Sequence, residues 1–179
     1  MVIRVYKFVA VTALLVVTAC SGGTGANNSA TSNSAPVTSA PPAATPSKAI
    51  STADVGKLKW IEGAWRGMDG EKPFYERYRF EGSTMVVETL ADETLAKVEE
   101  TSRFELKDGE FGSTQGERRS AAAWISDNAV QFVPAAGGGN SFRFEKQSDD
   151  SWNAVLEWPA SQDKPARQKI YKMERWPKK

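Results

Sequence analysis

The chain of 179 residues contains no histidine and a single cysteine, Cys20. The lack of histidine excludes Ser-His-Asp and Cys-His catalytic arrangements and histidine-ligated haem. With one cysteine, no intrachain disulfide can form, and neither can a zinc site built on sulfur or imidazole ligands. We therefore expect no metal and no cofactor, and any site chemistry must rest on carboxylates and arginines.

The first 50 residues contain no acidic side chain. Arg4 and Lys7 form a basic start, and the apolar stretch that follows ends at Ala19. This stretch is shorter than the ~20 residues that a membrane-spanning helix needs. A basic start, a short apolar run and a small residue at its end are typical of a signal peptide, which we assign to residues 1–19.

The run Val17-Thr18-Ala19-Cys20 resembles the lipobox of bacterial lipoproteins. The resemblance implies cleavage between Ala19 and Cys20, and acyl chains, palmitate among them, on the new terminal cysteine. Several chains on one residue give a lasting membrane anchor. Because Ser21 follows the cysteine, the resemblance favours the periplasmic face of the outer membrane if the source is Gram-negative.

Residues 20–50 consist almost entirely of Ser, Thr, Gly, Ala, Asn and Pro, with Lys48 as the one charged side chain. This composition buries too little apolar area to offset the entropy of ordering the backbone. We predict a disordered linker with an end-to-end distance of roughly 30 Å. Its expected role is to hold the following domain off the membrane.

Residues 51–179 form the one predicted domain. It contains 20 basic and 22 acidic side chains, so no strongly basic face is available for nucleic acid. All six tryptophans and seven of the eight phenylalanines also lie here. Each large aromatic side chain can bury 150–250 Å², which is ample for a core without disulfides.

The hydropathy of this domain alternates with a period of two rather than 3.6. Residues 74–80, 97–107 and 152–158 show the pattern most clearly, and turn dipeptides such as Asp-Gly separate the apolar runs. We predict about 8–10 short antiparallel strands in an all-β, up-and-down barrel, because closure removes exposed strand edges. A short helical turn is predicted over Thr52 to Lys59, capped by Ser51 or Thr52.

Gly63-Ala64-Trp65 resembles the Gly-x-Trp that opens the first strand of lipocalin-like (calycin) barrels. In such folds the tryptophan closes one end of the barrel, often beneath a basic residue of the last strand. The resemblance implies that Trp65 and Arg175 close this barrel. A cation over an indole ring contributes ~0.5–2 kcal/mol.

The chain also resembles a bacterial family of small lipocalin-like domains of unknown function. The shared features are the Trp-Ile-x-Gly-x-Trp start at residues 60–65, Glu76-Arg77-Tyr78, Glu100, and the turn Phe132-Val133-Pro134. Many members carry a His-Asp-Phe-Pro-like stretch after that turn, where this chain has residues 135–140 without histidine. The family itself implies no established activity.

Alternation places Glu76 and Glu100 on the apolar faces of their strands, where a charge is costly unless it is paired. Arg143 and Arg175 are the candidate partners. One interpretation is a polar cluster that orients a ligand inside the barrel, and the other is a structural Glu–Arg pair. The candidate ligand-binding residues are Glu76, Tyr78, Glu100, Phe104, Arg143 and Trp158.

The expected function is non-catalytic binding of a small, partly apolar ligand within a lipid-anchored envelope protein. One alternative is a module that contacts another envelope protein. A second alternative is a hydrolase that uses a carboxylate pair. A ligand binder should have a cavity reached by both glutamates, whereas an interaction module should have a packed interior and an exposed apolar patch.

Overall fold

The computed structural model describes residues 49–136, 139–161 and 164–177. Ala19, Cys20 and all but the end of the predicted linker lie outside the described residues, so the signal peptide and the lipid anchor stay predictions. Within the described ranges, no helix has the length and apolar character required to span a bilayer.

A short helix opens the domain. Helix α1 (Thr52–Gly56) is capped by Ser51, whose side chain accepts a hydrogen bond from the backbone N–H of Asp54, and a 3₁₀ helix continues it over Lys57–Ile61. The carboxylate of Asp54 accepts in return from the backbone N–H of Ser51, which completes a capping box. The hydrogen bond and charge of Lys57 hold the pKa of the Asp54 carboxyl well below its usual range. The predicted helical turn is therefore confirmed.

Ten strands follow the helical segment and make up most of the remaining described chain. They are β1 (Gly63–Asp69), β2 (Lys72–Glu81), β3 (Thr84–Leu90), β4 (Val98–Lys107), β5 (Glu110–Gln115), β6 (Arg118–Ile125), β7 (Ala129–Ala136), β8 (Ser141–Lys146), β9 (Ser151–Trp158) and β10 (Arg167–Arg175).

Each strand pairs antiparallel with the next in sequence, and β10 returns to pair with β1. The result is a closed up-and-down barrel, as the two-residue alternation predicted. Tight turns join several strands. Gly70 and Gly82, both at φ +62°, lie in two of them, and a residue with a Cβ rarely adopts that backbone conformation.

The two ends of the barrel differ. At the closed end, the side chains of Val55, Leu58 and Ile61 from the helical segment are 1% exposed and join the core. The backbone N–H of Ile50 donates to the carbonyl of Gly109 in the β4–β5 turn, which fixes the segment to this end. The opposite, open end carries the β7–β8 and β9–β10 connections.

Aromatic side chains fill the interior. Phe132 is fully buried, and its ring stacks on Phe142 with centroids 4.7 Å apart and lies 4.9 Å from that of Phe104. Towards the closed end, Trp152 contacts Tyr78 and Trp65 edge-on. Such edge-to-face and offset pairs add to the free energy gained by burying the rings.

We predict that Phe132→Ala lowers the free energy of unfolding by about 3–5 kcal/mol, because it leaves a cavity among rings that cannot collapse into it. Val133→Ala, at the next position and 37% exposed, serves as the control and should cost less than about 1 kcal/mol. Urea denaturation followed by tryptophan fluorescence measures both. Equal losses in the two variants would contradict a packed aromatic interior.

Candidate functional site

Arg175 lies over Trp65 at the closed end. The guanidinium carbon is 3.9 Å from the indole centroid, and the same side chain donates to the carbonyls of Glu62 at 2.8 Å and Asp149 at 3.0 Å. Gly63 permits this approach, because a Cβ there would collide with the Arg175 side chain. These contacts tie the first and last strands together in the arrangement that the lipocalin-like resemblance implied.

Glu76 points into the barrel and is only 1% exposed. The hydroxyl of Tyr78 donates a 2.8 Å hydrogen bond to its Oε2 atom. Burial raises the pKa of the Tyr78 phenol well above its usual value, because the phenolate would be desolvated. Thr89 stands opposite Glu76 on β3, and its hydroxyl oxygen is buried without a hydrogen-bond partner among the described residues.

The predicted interior position of Glu100 is wrong. Glu100 lies on β4, opposite Thr89 of β3. Its side chain is nevertheless exposed, and so are those of all residues 98–101 at that end of β4. Burial on β4 begins only at Ser102 and Phe104. Alternation therefore predicted correctly which face of β4 carries Glu100, but it did not predict that the side chain is exposed. Glu100 is exposed because this part of β4 lies at the open end of the barrel.

Arg143 does not partner either glutamate on the inner face. It alternates with the buried Phe142 and Phe144 and so lies on the outer face of β8. There it bonds Glu145 at 2.5 Å, Gln131 at 3.2 Å and Glu157 at 3.4 Å. The hydrogen bond from Arg143 to Glu145 raises the pKa of its guanidinium further. The predicted interior role of Arg143 is therefore corrected to an outer polar network.

The remaining candidates separate into core and surface. Phe104 and Tyr78 belong to the packed interior, where they contact other rings. Trp124 does not belong to the interior, since its side chain is 43% exposed. Trp158, at the end of β9, is half-buried and faces a groove at the open end.

This groove, which we call the mouth groove, has a volume of about 710 Å³. The groove lies where β7 extends beyond its pairing with β8. The β7–β8 ladder ends at Phe132, which is opposite Phe142, whereas β7 remains paired with β6 as far as Ala136. The residues that line the groove are Val133, Pro134, Gly139, Ser141, Glu157, Trp158, Pro159, Ala166, Arg167 and Gln168.

The mouth groove is apolar on one part of its wall and cationic on another. Trp158, Pro134 and Pro159 supply apolar surface. The guanidinium carbon of Arg167 lies 4.5 Å from the indole centroid of Trp158, and Arg167 makes no ion pair within the described ranges. Glu157, in contrast, accepts hydrogen bonds from Arg143 and from Gln168 at 3.2 Å. Arg167 is therefore the lining cation that no carboxylate pairs with among the described residues, whereas Glu157 shares Arg143 with Glu145.

The sequence indicated part of this groove. Trp158 was a candidate, and Pro134 belongs to the Phe132-Val133-Pro134 segment that supported the family resemblance. The predicted turn at this segment is wrong, because all three residues lie within strand β7. The sequence did not point to Arg167, because a single arginine at the start of a strand, here β10, matches no motif. Its contact with Trp158 follows from the β9–β10 register, in which the two residues are opposite each other.

Comparison with protein-family models, curated proteins and solved structures gives no match. The closed antiparallel barrel of ten strands is compatible with a lipocalin-like fold on its own topology. Within the described residues, no group of three or more acidic side chains is arranged to hold a metal ion.

We predict that Tyr78→Phe costs about 1–3 kcal/mol near neutral pH, because Glu76 loses a buried hydrogen bond. Above about pH 10 a tyrosine in the unfolded chain ionises, whereas buried Tyr78 stays protonated. The unfolded state then binds fewer protons, so the stability of the wild type falls with rising pH relative to the variant. Urea denaturation at about pH 8 and about pH 11 tests this. A stability difference that does not change with pH would contradict it.

Proposed function

We propose that this protein is a non-catalytic binding protein of the cell envelope, which takes a small, partly apolar molecule at the open end of its barrel. The mouth groove is the observation that carries this proposal. Ligand sites are commonly concave, mostly apolar and provided with a few convergent polar groups, and a volume of about 710 Å³ suits a small molecule.

The packed interior supports a site at the mouth rather than at the centre. The rings of Phe132, Phe142 and Trp152 occupy the space that a ligand would need inside the barrel. Trp158 and Arg167 instead offer a flat aromatic surface and a cation at the rim. A molecule with an apolar ring or tail and an anionic group matches both.

The exposure of the two glutamates supports a non-catalytic role. A glycosidase-like mechanism needs two carboxyl groups that both reach the substrate. Glu76 is almost fully buried and accepts from Tyr78, whereas Glu100 lies in solvent. The pair therefore shares no common cleft in which an acid and a base can act on one bond.

Two probes test the mouth groove on the full chain. Anilinonaphthalene sulfonate is anionic and N-phenylnaphthylamine is neutral, and both fluoresce on apolar binding. Trp158→Ala should weaken both probes by roughly tenfold, and Arg167→Gln should weaken only the anionic probe. Trp124→Ala, at an exposed tryptophan outside the groove lining, should change neither.

Unchanged binding in Trp158→Ala would contradict the proposed site. Equal weakening of the two probes by Arg167→Gln would contradict a role for its charge. Near-ultraviolet circular dichroism of each variant confirms that the barrel is intact, which distinguishes a lost site from a lost fold.

An interaction module is the second candidate function. Trp124 on β6 is 43% exposed and Val133 on the paired strand β7 is 37% exposed. Val133 also lines the mouth groove. Exposed aromatic side chains beside apolar neighbours are typical of the centres of protein interfaces. Native mass spectrometry of the full chain from its own host separates the two functions: a recurrent small mass supports the ligand, and a recurrent polypeptide supports the partner.

The membrane location is proposed from the lipobox resemblance alone. Cys20→Ser removes the sulfur that would carry the lipid, so the protein should move from the membrane to the soluble fraction or stay unprocessed. Fractionation and intact mass measure this, with Ser21→Ala as the neighbouring control. Unchanged fractionation and mass in Cys20→Ser would contradict the anchor.

A further inference from the structure

Strands β4 and β5 separate towards the open end. Their ladder covers residues 105–107 of β4 opposite residues 110–112 of β5 and stops there. On its other side, β4 continues to pair with β3 as far as Val98. The separation opens a second cleft, of about 320 Å³, which we call the β4–β5 cleft.

The walls of the β4–β5 cleft are strand edges. In the described part of the chain, residues 98–104 of β4 have a ladder only with β3, and residues 113–115 of β5 have one only with β6. The Gln115 side chain crosses the cleft and donates to the hydroxyl of Ser102 at 3.1 Å. Side chains therefore bridge a gap that backbone hydrogen bonds close in an ordinary ladder. Edges of this kind are templates for an added strand.

The uncompensated charge of the cleft is negative. Arg103 is engaged by Glu81 at 2.7 Å and by Glu105 at 3.6 Å. Glu100 is exposed in the cleft wall and makes no ion pair among the described residues. A basic side chain brought alongside β4 would find Glu100 available.

We propose that the β4–β5 cleft binds an extended segment of a partner protein, which adds as a short strand along β4 and places a lysine or arginine beside Glu100. A second copy of this chain fits less well, because its own β4 edge would bring a second Glu100 to the cleft rather than a basic side chain. The cleft shares no lining residue with the mouth groove, so this proposal does not depend on ligand binding there.

Fluorescence anisotropy of labelled peptides on the full chain tests the proposal. The probes are Thr-Val-Lys-Val-Thr, its analogue with Glu in place of Lys, and a copy of the Lys peptide that is N-methylated at both valines. The Lys peptide should bind at least about tenfold more tightly than the Glu peptide. N-methylation of both valines removes the N–H groups on one edge of the extended peptide and adds methyl groups there, so it should weaken binding.

Glu100→Lys should reverse the order of the Lys and Glu peptides, whereas Glu117→Lys, the same charge change in the exposed β5–β6 turn, should leave it unchanged. Hydrogen exchange should slow at residues 98–104 when the Lys peptide is bound, and Trp158→Ala should leave this binding intact. The proposal is overturned by no saturable binding up to about 1 mM, by equal affinities of the three peptides, or by binding that is insensitive to Glu100→Lys.

Discussion

The contact between the rings of Phe132 and Phe142 is the constraint on which the rest of this barrel depends. With Phe104, Phe144 and Trp152, they occupy the centre of a small closed sheet that no disulfide reinforces. Because the interior is filled by the protein's own side chains, the mouth groove and the β4–β5 cleft both lie where strand pairing ends. The packing that stabilises the domain therefore also places its candidate sites at the rim.

The mouth groove and the β4–β5 cleft have the same physical origin: in each, one strand extends beyond the last residue that it pairs with on a neighbouring strand. The mouth groove forms where β7 runs on past β8, and the β4–β5 cleft forms where β4 runs on past its pairing with β5. The opposite end has no such freedom, since the helical segment and the Arg175–Trp65 contact close it. The two proposed binding surfaces thus lie at the end of the barrel that the helical segment does not close, and loops and strand ends commonly carry function.

Periodicity predicted the all-β class, the closure and the inward side of β2, since hydrophobic alternation reports which face of a strand is buried. It did not predict depth: Glu76 and Glu100 both follow the inward alternation, yet only Glu76 is buried. Nor did it predict the partners of Arg143, which depend on the register of three strands. The residues at which a ladder ends cannot be predicted from alternation either, because they depend on how neighbouring strands pair and pack.

Intermolecular nuclear Overhauser effects with bound N-phenylnaphthylamine test most directly whether the interior is full and the mouth is the site. We predict contacts from the probe to the side chains of Trp158, Val133 and Ala166, and none to the rings of Phe132 or Trp152. Contacts to Phe132 or Trp152 would show that the centre of the barrel opens to ligands and would contradict this account.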